Sequence, residues 1–157
     1  DLLRLDRTDY QEVRHVLGQM LLGLDRLEDL QRLLEQFRER DSSTAWWAYT
    51  QLLLAIRRED ADAMTRLLEA IRANQHVMEC LLDEELLKGP PRTTYTRGEK
   101  SEAEVYAHMA WPAWYQDEAR ALQWVAHAIR PPKQRIPPPK KYKKCHLEED
   151  RQAPEPD

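Results

Sequence analysis

The chain has 157 residues, of which 41% are hydrophobic and 33% charged, and its formal net charge at pH 7 is −4. This length corresponds to one domain with room for a hydrophobic core, and the small negative charge argues against a chain that binds polyanions over its whole surface. Its apolar runs, such as residues 52–56, are far shorter than the ~20 residues of a membrane-spanning helix, which excludes a membrane protein.

Proline placement divides the chain into a helical part and a tail. Residues 1–89 contain no proline, whereas seven of the ten prolines lie in residues 131–157. Because a proline inside a helix removes a hydrogen bond and clashes with the preceding turn, we expect the first segment to be helical. The last segment is rich in proline and charge, cannot bury a core, and is predicted to be a disordered tail.

Apolar residues at helical spacing predict a helical array over residues 1–87. Its five helices cover about residues 10–22, 27–40, 44–57, 60–73 and 76–87. The first helix is expected to carry its apolar residues on one side: Val13, Leu17, Met20, Leu21 and Leu24. The polar segment 41–43, Asp-Ser-Ser, is predicted to end the second helix and to cap the third.

A smaller unit is predicted after the array. Residues 88–100 are expected to form a linker loop, and residues 101–130 a two-helix unit that packs on the array. Ser101 and Glu104 have the spacing of a capping box at the start of this unit. Pro112 is expected to end or kink its first helix.

The array contains an internal repeat. Residues 32–35, Arg-Leu-Leu-Glu, recur as residues 66–69, an offset of 34 residues. The same offset aligns three more pairs: Met20 with Leu54, Leu30 with Met64, and Phe37 with Ile71. A helix–turn–helix unit of this length is the tetratricopeptide signature. The predicted fold class is therefore all-α, a tetratricopeptide-like stack of helical hairpins whose groove binds a peptide or protein.

Several segments match a known family in order and spacing. They are residues 5–15 (LDRTDYQEVRH), 46–49 (WWAY), 74–83 (NQHVMECLLD), 102–106 (EAEVY), 113–114 (AW) and 120–125 (RALQWV). In these segments the chain resembles the bacterial tetratricopeptide-like proteins related to the suppressor of tumorigenicity 7 family. The resemblance implies a helical-repeat fold and a scaffolding role rather than chemistry.

The tail contains a second resemblance. Residues 140–146, Lys-Lys-Tyr-Lys-Lys-Cys-His, resemble the second half of the SEC-C motif, C-x-C-G-S-G-K-K-Y-K-K-C-[CH], which binds zinc. The resemblance implies Cys145 and His146 as metal ligands. The other two ligand positions of the motif fall on Gln134 and Ile136, which cannot bind zinc, although a structural zinc site needs four ligands. An accessory protein that binds zinc, with another chain completing the site, is therefore an alternative function.

The tail is also strongly basic over a short run. Six positive residues and no acid lie between Lys133 and Lys144. Such a run binds phosphates electrostatically, and Tyr142 offers a ring on which a base can stack. A second alternative is therefore a basic tether to nucleic acid or to the ribosome. The acids that follow, from Glu148 to Asp157, would partly neutralise this run.

The main functional prediction is a non-catalytic protein–protein interaction module, a scaffold or an adaptor. The chain contains no G-x-S-x-G, Walker or H-E-x-x-H motif, and no catalytic residue is predicted. Its only cysteines, Cys80 and Cys145, make no disulfide framework, so we expect a cytoplasmic protein. No cofactor other than the tail zinc is expected.

The third helix carries the predicted binding residues. Neighbouring residues on a helix differ by ~100° in direction, so we expect either Trp46 or Trp47 to face the groove and anchor a partner. Four charged residues are expected to form the rim that tunes specificity: Arg57, Arg58, Arg66 and Glu69.

Overall fold

The computed structural model describes residues 12–129, in which every regular element is a helix and no strand occurs. The all-α prediction is confirmed for this part of the chain. The helices are α1 (Val13–Gly23), α2 (Leu27–Gln36), α3 (Arg38–Asp41), α4 (Ala45–Arg58), α5 (Ala63–Ala73), α6 (Val77–Leu82), α7 (Glu84–Lys88), α8 (Lys100–Trp114) and α9 (Gln116–Ala128). The predicted proline-rich tail, residues 131–157, lies outside the described residues.

The start of α4 differs from the prediction. The helix begins after Thr44, whose backbone is extended and whose hydroxyl accepts a hydrogen bond from the Trp47 N–H at 3.2 Å. The prediction that residues 41–43 cap this helix is wrong, because Asp41 ends the short α3. A threonine in an extended conformation fulfils the N-cap role instead, since its side-chain oxygen can reach the free N–H groups of the first turn.

Two further local predictions fail. The predicted helix 76–87 is divided at Asp83, whose carboxylate accepts the Leu86 N–H at 3.0 Å and thereby starts α7. Ser101 does not open a capping box, because α8 begins one residue earlier and the Ser101 hydroxyl accepts the Thr96 N–H at 3.0 Å. Both corrections arise from side-chain hydrogen bonds that redirect the backbone.

Helix α4 is the centre of the core. Eleven of its 14 residues are buried, and it contacts α2, α3, α5, α8 and α9. A helix that is apolar on all sides is stable only when neighbours surround it. Tyr49 of α4 packs against Tyr106 and Trp114 of α8, with ring centroids 5.7 and 6.3 Å apart. Its hydroxyl donates to the Asn74 carbonyl at 2.8 Å, so this buried polar group is satisfied.

Helix α8 lies against α1, α4 and α6 at once. Its buried face carries four alanines: Ala103, Ala107, Ala110 and Ala113. Small side chains at a helix contact let the helix axes approach closely. Pro112 is exposed on α8, and the helix continues past it to Trp114.

Polar side chains at both ends show that α4 and α8 run parallel. At the N-terminal end, the Glu102 carboxylate of α8 accepts the Ala45 N–H at 2.9 Å. At the other end, Arg57 in the last turn of α4 donates to the Ala113 carbonyl of α8 at 2.9 Å and to the Leu22 carbonyl of α1 at 2.7 Å. The C-terminal ends of α1, α4 and α8 therefore meet at one guanidinium group.

A buried ion pair ties α1 to the chain that enters α4. Arg14 donates to the two carboxylate oxygens of Asp41 at 2.5 and 2.9 Å, and both side chains are almost fully buried. Burial acts to raise the pKa of Asp41, but the neighbouring His15 and Arg14 lower it to about 2. Because removing either partner would leave an uncompensated buried charge, the pair fixes the start of α1 beside the start of α4.

Candidate functional site

The two predicted tryptophan anchors are both inside the protein. Trp46 is 3% exposed and Trp47 is 8% exposed, so the expectation that one of them faces outward is wrong. The Trp46 ring stacks on the His15 ring of α1 with centroids 4.2 Å apart, and the Trp47 indole N–H donates to the Leu34 carbonyl of α2 at 3.3 Å. Trp46 and Trp47 do point in different directions, but Trp46 is covered by α1 and Trp47 by α2.

The predicted rim residues on α4 hold helices together. Arg57 bonds the ends of α1 and α8 and also donates to the Gln116 side chain. Burial lowers the pKa of Arg57, an effect that the charges of Asp117 and Asp25 oppose. Arg58 donates to Glu28 of α2 at 2.6 Å. Both arginines are therefore engaged within the fold.

The predicted rim residues on α5 form a local surface network. Arg66 pairs with Asp62 at 3.0 Å and with Glu69 at 3.1 Å. Such surface pairs at helical spacing stabilise a helix by a few tenths of a kcal/mol. Trp46, Trp47, Arg57, Arg58, Arg66 and Glu69 are thus not brought together into one surface.

The predicted metal ligands, Cys145 and His146, lie outside the described residues. In residues 12–129 no group of three or more His, Cys, Asp or Glu side chains is arranged to hold a metal ion. Cys80 is free and buried there, and burial raises the pKa of its thiol to about 11. In the same residues no helix has the length and apolar character needed to cross a bilayer.

A groove of about 300 Å³ runs between α1 and α8. We call it the α1–α8 groove. Its lining residues are Val16, Gln19, Met20, Gly23, Met109, Pro112, Ala113 and Gln116. None of these side chains carries a charge. Val16 and Met20 are 54% and 61% exposed, so one wall of the groove is apolar and open to water.

The apolar residues of α1 do not share one buried side. Those that are buried on this helix include Gly18, Leu21 and Leu22, whereas Met20 and Leu24 are exposed. Residues i and i+4 lie on the same helix face, which places Met20 beside Val16 and away from the core. Apolar residues on more than one side of α1 were the signal in the sequence for an exposed apolar surface. Apolar spacing alone cannot show which of these sides other helices cover.

Gln19 is the unusual polar group of the groove. Its amide nitrogen and oxygen are buried, and neither has a hydrogen-bond partner among residues 12–129. Most buried polar atoms in folded proteins do have a partner. An amide left unpaired in this way costs about 1–3 kcal/mol. Among the described residues, the groove therefore contains a polar side chain that has no hydrogen-bond partner.

The 34-residue offset relates two faces with different environments. Three of the aligned residues are buried in α2 and at its C-cap: Leu30, Leu34 and Phe37. On α5 their counterparts are 37–50% exposed: Met64, Leu68 and Ile71. The α2 face is covered by contact with α4. Leu33 and its counterpart Leu67 are both buried, so the two aligned helices bury equivalent faces only in part.

No family model matches the chain, and no curated protein or solved structure is significantly similar to it.

Proposed function

We propose that this chain is a non-catalytic protein–protein interaction module whose α1–α8 groove binds an apolar segment of a partner protein. The observation that carries the proposal is the exposed apolar wall of the groove, where Val16 and Met20 lie beside Met109. Contiguous exposed apolar surface on a soluble domain marks interaction sites. The family resemblance, which suggests scaffolding, agrees with this proposal.

The walls suit apolar side chains of varied shape. Met20 and Met109 bring flexible, polarizable thioethers from the two helices, and methionine-lined surfaces adapt to different partners. A groove between two helices accepts apolar residues that recur at i and i+4 on a partner helix. Apolar area removed from water on both sides would stabilise the complex by roughly 25 cal/mol per Å² before the costs of association.

Gln19 would add a directional contact. Rotation of its side chain toward the groove would let the amide donate to a main-chain carbonyl of the partner and accept from a main-chain N–H. A buried amide without a partner costs about 1–3 kcal/mol, and these bonds to the partner would relieve such a cost. An apolar residue at this position would lack that gain.

We further propose that α1–α2 and α4–α5 are two tetratricopeptide-like hairpins. Support comes from the 34-residue offset and from the contacts within each pair. In addition, α1 and α4 run in the same direction, because Asp41 joins their starts and Arg57 joins their ends. Helix α8 packs against the first helix of both hairpins. In this proposal α8 occupies the side on which an open groove was predicted, and binding takes place beside it.

Photo-cross-linking tests the proposed function. A photoreactive amino acid is placed at Val16 in the groove or, as the control, at Leu82, which is 63% exposed on α6. We expect a discrete cross-linked partner at Val16 that is absent at Leu82, and the purified partner should form the same cross-link with the purified protein. The same adducts at both positions, or none at Val16 in the organism's own extract, would contradict the proposal.

A further inference from the structure

Exposed acids border one end of the α1–α8 groove. Gly23 and Gln116 line this end. Asp25 lies two residues after Gly23, Asp117 directly follows Gln116, and both acids are exposed. Both carboxylates act electrostatically on Arg57, whose guanidinium also bonds the Gln116 side chain. The two acids therefore lie near Arg57, which binds the C-terminal ends of α1 and α8.

Arg57 does not cancel these acids. Its guanidinium donates to the carbonyls of Leu22 and Ala113, at the C-terminal ends of α1 and α8. A helix C-terminus carries roughly half a negative charge. The single charge of Arg57 is thus shared between two helix ends and the two acids, so it does not neutralise both acids.

The nearest cation in sequence is also engaged. Arg26, next to Asp25, forms an ion pair with Asp29 of α2. On the α9 side, Arg120 forms an ion pair with Glu59. Neither arginine can pair with Asp25 or Asp117, which we call the groove acids, without breaking an existing ion pair.

We infer that the apolar segment bound in the α1–α8 groove carries lysine or arginine at the end that lies over Asp25 and Asp117, an inference that rests on the proposed function. The walls of the groove are uncharged, so the acids at this end are the groups that would distinguish basic from acidic partner segments. Complementary charge at the edge of an interface speeds association and disfavours partners of the wrong sign. An acidic segment with the same apolar residues would meet like charges there.

Two labelled model peptides test this inference on the full chain. They share one leucine-rich amphipathic helix, and one ends in three lysines, the other in three glutamates. At low salt we expect the lysine peptide to bind about tenfold more tightly, measured by fluorescence anisotropy. The difference should shrink as salt screens the exposed charges, toward equality at about 0.5 M.

Matched charge variants locate the preference. Replacing both acids (Asp25→Asn with Asp117→Asn) should reduce the lysine preference to below about threefold. The control removes the N-cap acid of α5 and one acid within the helix (Asp62→Asn with Glu69→Gln) and should keep the preference. A preference that persists without the groove acids, or that is lost in the control alone, would overturn the inference.

The other outcomes separate this inference from the proposed function. Equal binding of both peptides that Met20→Glu abolishes would overturn the charge inference and leave groove binding intact. Binding of neither peptide would show that an apolar segment with a basic end is not sufficient, and the inference would fail. The cross-linking test at Val16 would still decide the proposed function.

Discussion

The contact between α4 and α8 differs from the α1–α8 groove in how one buried polar side chain at each place is hydrogen-bonded. Facing α4, the buried Glu102 carboxylate accepts hydrogen bonds from Ala45, Asn74 and Gly98. Facing the groove, the amide of Gln19 on α1 has no hydrogen-bond partner in residues 12–129. The Glu102 carboxylate is therefore hydrogen-bonded by three partners, whereas the Gln19 amide has none among the described residues.

This difference separates the source of stability from the proposed site of binding. A satisfied buried network rigidifies a core, so changes on the α4 side should reduce the free energy of unfolding. Changes in the groove should leave folding intact and act on partner binding. The variants below change either buried contacts or residues of the groove.

Glu102→Ala should have the largest effect on stability. It removes three hydrogen bonds and leaves the buried N–H of Ala45 without an acceptor. We expect the free energy of unfolding to fall by about 3 kcal/mol in urea titrations. The control Glu84→Ala removes an exposed carboxylate and should cost less than about 0.5 kcal/mol. Equal effects of the two variants would mean that the network does not stabilise the α4–α8 contact.

Asp41 should make stability sensitive to acid. Its pKa is lowered from 3.8 to about 2 in the folded protein, so the folded state binds fewer protons than the unfolded state between these values. The contribution, about 2 kcal/mol, is present above pH 4 and is lost as the pH falls toward 2. Asp41→Asn should lower stability at pH 7 and remove that part of the acid decline, measured by thermal unfolding. An unchanged acid decline in the variant would contradict this account.

Two glycines of α1 offer a matched pair. A Cβ atom at Gly18 would lie 3.0 Å from Cζ2 of Trp46, whereas one at Gly23 would meet nothing within 4 Å. Gly18→Ala should therefore destabilise the protein by about 1–2 kcal/mol through overpacking. Gly23→Ala should be neutral or stabilising by up to about 1 kcal/mol, because alanine favours helix. The opposite ranking in urea titrations would mean that Trp46 does not pack against α1 as described.

Gln19→Leu should separate stability from binding in a single variant. It removes the unpaired buried amide, and we expect the free energy of unfolding to rise by about 1 kcal/mol. The affinity for the partner should fall, because the amide can no longer bond its main chain. Urea titration and calorimetric titration of the cross-linked partner measure the two effects. A gain or a loss in both quantities would contradict a role for Gln19 in binding.

The helices were predictable from the sequence because their causes are local. Proline placement and apolar spacing indicated most of them. The predicted helix ends were wrong where a single side chain caps the helix, as at Thr44 and Asp83. The burial of Trp46 and Trp47 was not predictable, since it depends on how many helices surround α4. The groove also depends on a distant contact, that of α8 with α1, which no local pattern encodes.

The most direct test of the central claim is the affinity of the cross-linked partner for two glutamate variants. Met20→Glu places a charge on the groove wall, and Leu82→Glu places the same charge on an equally exposed residue of α6. We expect Met20→Glu to weaken binding at least about tenfold, Leu82→Glu to change it less than about twofold, and both proteins to unfold at similar temperatures. Equal affinities of the two variants for the partner would show that the α1–α8 groove is not the binding site.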